Sequence, residues 1–528
     1  MLILGMVFGY DLHDTLRNRM DFQIAQQHND RLEEIMSLIR NKYVDTLDND
    51  RLFKDAVNGI LKHLDPHTSY IPPEDLQGIN ESLDGGFFGI GIEFAQIRDT
   101  IRVVSVIPGG PSDKAGLNVG DMLIAVNNKT IAGQHFPTDS IVHLLRGKQK
   151  STALVLVQTP LTNSTKSVRI MRDEVPIYSI DVSMMLDSIT GYIRINRFSA
   201  TTYHEFHDAL SKLKEKGIQQ LIIDLRDNPG GYLDAVTGVA DELLNDNKLI
   251  AYTKGLHAAR NEYRASKTGL FEQGPLALLV NESSASAAEI LAGAVQDWDR
   301  GVILGRRTFG KGLVQEQYDL SGGAALRLTI AKYFTPSGRC IQRSFANGRD
   351  AYMHDYEKRL EEGDDSIKEN TTNHDTTHYY TANHRPVFGG GGINPDITVA
   401  GDTASVSRAV FTMALSDELR NAIWDYFIFN REKNNFTSIE DFSTRFTNEK
   451  QILDQFYKAL KTQESQAAHK VLANKANCNY LVLHIKAQLA RLHFHDIGYF
   501  RIINPNDVLL KKAVQTLYSK QYQALIKG

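Results

Sequence analysis

Ser286 and Lys311 are the side chains of this chain best suited to covalent chemistry. A serine hydroxyl attacks a carbonyl only when a neighbouring base takes its proton. A lysine amine is such a base where burial disfavours its charged form. Ser286 lies in Asn281-Glu282-Ser283-Ser284-Ala285-Ser286-Ala287-Ala288-Glu289, and Lys311 in Gly310-Lys311-Gly312-Leu313-Val314-Gln315. The apolar run 276–280 has the character of a buried strand, and residues 287–296 are rich in helix formers. Ser286 is therefore expected at the first turn of a helix that follows a strand. Unpaired N–H groups and the positive end of the helix dipole gather there and favour a developing oxyanion. Ser283, Ser284 or Ser286 would equally serve as a helix cap, and on this stretch alone capping is the plainer reading.

The elements around the pair favour chemistry. Val302–Leu304 reads as a second buried strand that feeds the glycine-flanked loop of Lys311. Gln315 follows, and a glutamine can hold a lysine amine by hydrogen bonding without fixing its positive charge. The strand run Leu221–Leu225 ends in Arg226-Asp227-Asn228-Pro229-Gly230-Gly231. Its glycines permit a tight turn whose N–H groups, with that of Ala287, could form an oxyanion hole. An ordinary strand-to-helix turn is the competing account.

Four stretches together resemble the carboxyl-terminal processing, or tail-specific, proteases of the serine–lysine dyad type: residues 281–289, 310–315, 224–231, and Gly391-Gly-Ile-Asn-Pro-Asp396. The resemblance runs from about Arg31 to about Val399. It implies Ser286 as nucleophile, Lys311 as general base, Gln315 as the residue orienting the lysine, and Gly230 or Gly231 with Ala287 as oxyanion donors. That motif often has serine where this chain has Ala288, which leaves the named positions intact. The resemblance also implies a cell-envelope protein, periplasmic or anchored to the membrane facing the periplasm, and no cofactor.

The 528 residues exceed one core, and a hydrophobic share of 42% with 23% charge is ordinary globular composition. A net charge of −4 without a basic block speaks against nucleic acid. Cys340 and Cys478 form neither a disulfide framework nor a zinc pattern, though one bridge stays open. Residues 1–10 are apolar but too short to span a bilayer, and read as a signal or anchor remnant or as a packing segment.

The expected class is multidomain α/β. Residues 1–83 form an N-terminal helical region, with Leu32, Ile35, Met36 and Ile39 on one helix face. In that region Asp65-Pro66 reads as a turn rather than as part of a metal site with His63 and His67. Residues 84–168 are β-rich, with short runs at 90–94, 101–106, 122–126 and 153–157, and resemble a PDZ domain. That resemblance implies that the backbone of Phe88, Gly89, Ile90 and Gly91 binds a terminal carboxylate while the peptide adds as a strand. Residues 169–400 alternate strands and helices and form the peptidase core. A polar insert, 347–385, interrupts it and reads as a long surface excursion or a flexible insert; His374 and His378 within it make a poor zinc site. Residues 401–528 are helical, with His493 and His495 as packing residues. The helical ends are candidates for homo-oligomerisation.

The leading reading is thus a serine endopeptidase that takes protein substrates by their C-termini. Two others compete: a Ser-His-Asp hydrolase with a base such as His204, which lacks a Gly-x-Ser-x-Gly context, and a silent PDZ adaptor on a protease scaffold.

Overall fold

The computed structural model describes residues 30–160, 162, 164–362, 378–400, 406–431 and 433–527, in two compact units divided after Tyr70. The expectations on residues 1–10 and on His374 lie outside the described residues. In the first unit a helix over residues 30–42 precedes the helix Asn49–Leu61. Asp48 caps the latter, accepting the N–H groups of Asp50 and Arg51 at 3.1 Å. Several apolar side chains of this unit stay open to solvent, Ile35 and Leu38 each at 53%. The Asp65 carboxylate accepts the N–H groups of His67 and Thr68, as a turn-forming aspartate does.

In the second unit the helix Pro73–Asp84 stops at Gly85, whose φ of +83° suits glycine. A strand, Gly86–Gly89, then pairs antiparallel with Asp173–Pro176. Between them sits an antiparallel sheet in the order Ile92–Ile97, Thr100–Val106, Met122–Val126, Thr152–Gln158, Thr165–Met171. The helix Thr138–Leu145 closes its core with the buried Ile141 and Leu145.

The larger α/β core is a six-stranded sheet in the order Ile180–Met185, Thr190–Ile195, Gln220–Asp224, Leu276–Val280, Val302–Gly305, Ile397–Thr398. Only the first pair is antiparallel. Every residue of the two central strands is buried, as a parallel sheet covered on both faces requires. The helices Thr202–Glu215, Leu233–Asp241 and Ala287–Asp297 cover one face. The mixed α/β architecture with an inserted β-rich domain and helical ends is the one expected from the sequence.

The helices after residue 406 divide between two cores. Those from Arg408–Ala414 to Lys475–Ile503 build a core that includes Ile97 of the β-rich domain. The last two, Val508–Tyr518 and Lys520–Lys527, cover the second face of the six-stranded sheet through Leu509, Leu510, Leu517 and Tyr522. His493 lies among Phe427, Phe436 and Phe442, and burial lowers its pKa to about 4, so it packs as a neutral ring. Among the described residues no helix is long and apolar enough to cross a membrane.

Candidate active site

Two strand ends and one loop meet at Ser286. The strand Leu276–Val280 delivers residues 281–286, and the helix Ala287–Asp297 starts directly after the serine. Ser286 has φ +53° and ψ −113°, a conformation that costs a non-glycine residue about 1–3 kcal/mol. Neighbouring bonds hold it there. Ser284 Oγ donates to the Leu225 carbonyl at 2.8 Å and accepts the Asn281 N–H at 2.9 Å. The Ala285 N–H reaches the Asn228 carbonyl at 2.9 Å, and Tyr333 Oη donates to the Ser286 carbonyl at 3.2 Å. The strained serine between strand and helix has the logic of a nucleophile elbow, although its sequence context is different.

The loop after Gln220–Asp224 packs against this turn. A methyl group on Gly230, where φ is +96°, would lie 2.7 Å from Ser286 Cβ and 2.9 Å from the Ala287 nitrogen. Only glycine permits that approach. The Gly230 N–H donates to Asn228 Oδ1 at 2.8 Å, so it is already committed. Among the described residues the N–H groups of Gly231 and Ala287 have no protein acceptor. Of the two glycines expected from the sequence, Gly231 is therefore the one with a donor to offer. The loop is anchored by Asp224: burial pushes its carboxyl up, but Arg226 and Arg194 outweigh burial and hold it well below the usual range. Arg226 also pairs with Asp507 at 2.7 Å, on the cap of the helix Val508–Tyr518.

Lys311 follows the strand Val302–Gly305, and its Nζ donates to Gln315 Oε1 at 2.8 Å. Gln315 sits on the strand Leu313–Asp319, whose antiparallel partner Ala325–Phe334 carries Tyr333.

Glu289, quoted in the motif but given no role by the sequence reading, joins the two loops. Its Oε2 accepts the N–H groups of Ser286 at 2.8 Å and Lys311 at 2.9 Å. Its Oε1 accepts the Gly310 N–H at 2.7 Å and the Thr308 hydroxyl. Burial pushes the carboxyl up to about 7, against the pull of these four donors. The spacing Ser286-x-x-Glu289, half of a capping box, was the available signal.

The polar insert also reaches this region. Its helix Arg349–Glu362 sets Tyr356 Oη 3.0 Å from Ser283 Oγ, and Arg359 donates to the carbonyls of Arg307 and Thr308 at 2.7 and 2.8 Å. This part of the expected surface excursion is packed because its aromatic rings rest edge-on against Phe309. His204 lies on the helix Thr202–Glu215 with its ring tilted against Tyr203.

The four residues expected to take a carboxylate divide. Phe88 and Gly89 belong to the strand paired with Asp173–Pro176. Ile90 and Gly91 line a groove of about 310 Å³ with Ile92, Val142 and Leu145. Among the described residues, the Ile90 and Gly91 N–H groups have no protein acceptor.

Residues 189–347 match the model of peptidase family S41, and residues 102–159 match that of the PDZ domain. The probable CtpA-like serine protease of Staphylococcus aureus strain N315 is 32% identical over 60% of this chain, which spans 63% of that relative's length. A solved photosystem II D1 C-terminal processing protease is 30% identical over 58% of this chain and 82% of its own, with a TM-score of 0.34. The carboxy-terminal-processing protease of Bartonella bacilliformis is 34% identical over 59% of this chain and 72% of its own length. On that match, the chain belongs to peptidase family S41, among the carboxy-terminal-processing proteases.

Proposed function

We propose that the chain is a serine endopeptidase that captures protein C-termini in its PDZ domain and cleaves with a Ser286–Lys311 dyad. The observation that carries the reading is the Glu289 carboxylate, one oxygen of which accepts the N–H groups of both Ser286 and Lys311. Nucleophile loop and base loop are thereby tied to a single buried atom.

In this scheme Lys311 Nζ takes the Ser286 proton as Oγ adds to the scissile carbonyl. Gln315 Oε1 accepts from the same amine and aims it. The N–H groups of Gly231 and Ala287 stabilise the oxyanion. The C–N bond then breaks, Lys311 returns the proton to the leaving amine, and water activated by the lysine hydrolyses the acyl-enzyme. The scheme uses no metal or cofactor. Capture of the tail draws on the Ile90 and Gly91 N–H groups, with the peptide adding as a strand beside Ile92–Ile97.

Fluorophosphonate labelling tests the chemistry: wild type should label and Ser286→Ala should not, whereas an adaptor would label in neither. Calorimetry tests capture, because amidating a peptide tail should weaken binding by about 1–3 kcal/mol, the scale of a charge-assisted hydrogen bond. An envelope location and self-association through the exposed face of Ile35 and Leu38 belong to the same proposal. Cell fractionation and light scattering of an Ile35→Asp, Leu38→Asp variant test them.

A further inference from the structure

The PDZ sheet ends in an edge strand, Ile92–Ile97, whose side chains divide between two cores. Ile92 and Phe94 face the core of the PDZ domain, while Ala95 and Ile97 face the C-terminal helices. Each side has its own cavity. The groove of about 310 Å³ described above lies on the PDZ side. A second cavity of about 430 Å³ lies against the helices, lined by Ala95 and Val104 of the sheet and by Leu415, Ile423 and Trp424. Glu93 and Phe94 border both, so the two cavities flank the same stretch of the strand.

Successive side chains of an extended peptide point to opposite faces. A tail paired with this edge strand, its last side chain in the PDZ groove, turns its penultimate and fourth-from-last side chains toward the helical domain. We propose that the second cavity is a further subsite for the substrate tail and takes a bulky apolar or aromatic side chain at one of those two positions. The proposal rests on tail capture by the PDZ domain.

The lining decides the chemistry. The floor is apolar, and the two arginines at the rim have carboxylate partners: Arg491 with Asp496 at 2.9 Å, Arg420 with Asp417 at 3.1 Å. His495 Nδ1 lies 3.3 Å from Ser105 Oγ, and burial lowers the pKa of His484, which favours the neutral ring. Glu93, exposed on the edge strand, opposes an acidic side chain. Leu415 stands 75% exposed, an apolar side chain with little else to cover it.

The test uses the full chain carrying Ser286→Ala, so that peptides bind without being cut. Calorimetry compares hexapeptides with a fixed apolar last residue, as free acid and amide, carrying Phe, Ala or Asp at the penultimate or fourth-from-last position. Phe should bind at least about 10-fold more tightly than Ala at one of them, the scale of burying one large side chain, and Asp no more tightly than Ala. Adding Leu415→Asp should abolish the gain while leaving the acid-over-amide preference. Equal affinity for Phe and Ala at both positions, with acid still preferred to amide, overturns the subsite alone. A Phe gain that survives Leu415→Asp overturns its location, and equal affinity for acid and amide overturns tail capture itself.

Discussion

Replacing Glu289 by glutamine tests whether one buried carboxylate sets the geometry of nucleophile and base. Glutamine keeps the volume but offers one acceptor and one NH₂. Turned either way, the amide leaves at least one of the three backbone N–H donors, those of Ser286, Gly310 and Lys311, facing another donor. An unsatisfied buried N–H costs about 1–3 kcal/mol. The pH dependence is a second signature. The Glu289 carboxyl rises from 4.5 to about 7 on folding, and that rise is worth about 3 kcal/mol. A raised carboxyl stabilises the folded state fully below its unfolded pKa, and the contribution is lost as pH rises through the folded value. Glutamine has no such dependence. In urea titrations, the stability difference between wild type and Glu289→Gln should therefore shift by about 3 kcal/mol between pH 4 and 8.5, the wild type losing ground as pH rises. Fluorophosphonate labelling of the folded variant should slow by about 100-fold, the scale of a misplacement near 1 Å. Parallel stability curves across that pH range, together with a wild-type labelling rate, would refute the role assigned to Glu289.

Lys311→Arg should abolish peptide cleavage, because arginine keeps its proton; full turnover would eliminate lysine as the base. Gln315→Ala should be milder, since it removes a group that aims the amine rather than one that moves the proton. Gly230→Ala meets Ser286 Cβ at 2.7 Å in a backbone region unsuited to alanine, so it should lose labelling and about 2 kcal/mol or more of stability. Asp507→Ala removes a helix cap and a partner of Arg226 and should cost about 2 kcal/mol in urea unfolding; a change under about 0.5 kcal/mol would dismiss Asp507 as a brace.

What could be read in advance follows from how local each signal is. The apolar runs 221–223 and 276–280 announce central strands, because a parallel strand covered on both faces is apolar along its buried length. The order strand, serine, helix is equally local, and the motif stretches carried the family. The choice between Gly230 and Gly231 was not legible. It depends on the Asn228 side chain turning back to take one N–H, a bond of 2.8 Å that no propensity encodes. Nor could the sequence divide residues 401–528 between two cores. The helix Val508–Tyr518 shows the same amphipathic pattern whichever sheet it meets, and Asp507 reads as a plain N-cap. Only the fold brings that aspartate to Arg226.

This arrangement explains why the Ser286 turn needs support from so far along the chain. Ser286 occupies a conformation that its own residue type disfavours, so the turn holds only if its neighbours leave it no alternative. Glu289 fixes its N–H, Tyr333 its carbonyl, and Gly230 its Cβ. Gly230 is in turn held by a loop whose arginine is shared between Asp224 and Asp507. Asp224 lies at the end of a strand in the six-stranded sheet, and Asp507 caps a helix lying across that sheet's second face. The C-terminal helices thus belong to the same mechanical circuit as Ser286. Loss of their packing should release the strain at Ser286 before it unfolds the sheet, and labelling should fall at lower urea than the far-ultraviolet helical signal does.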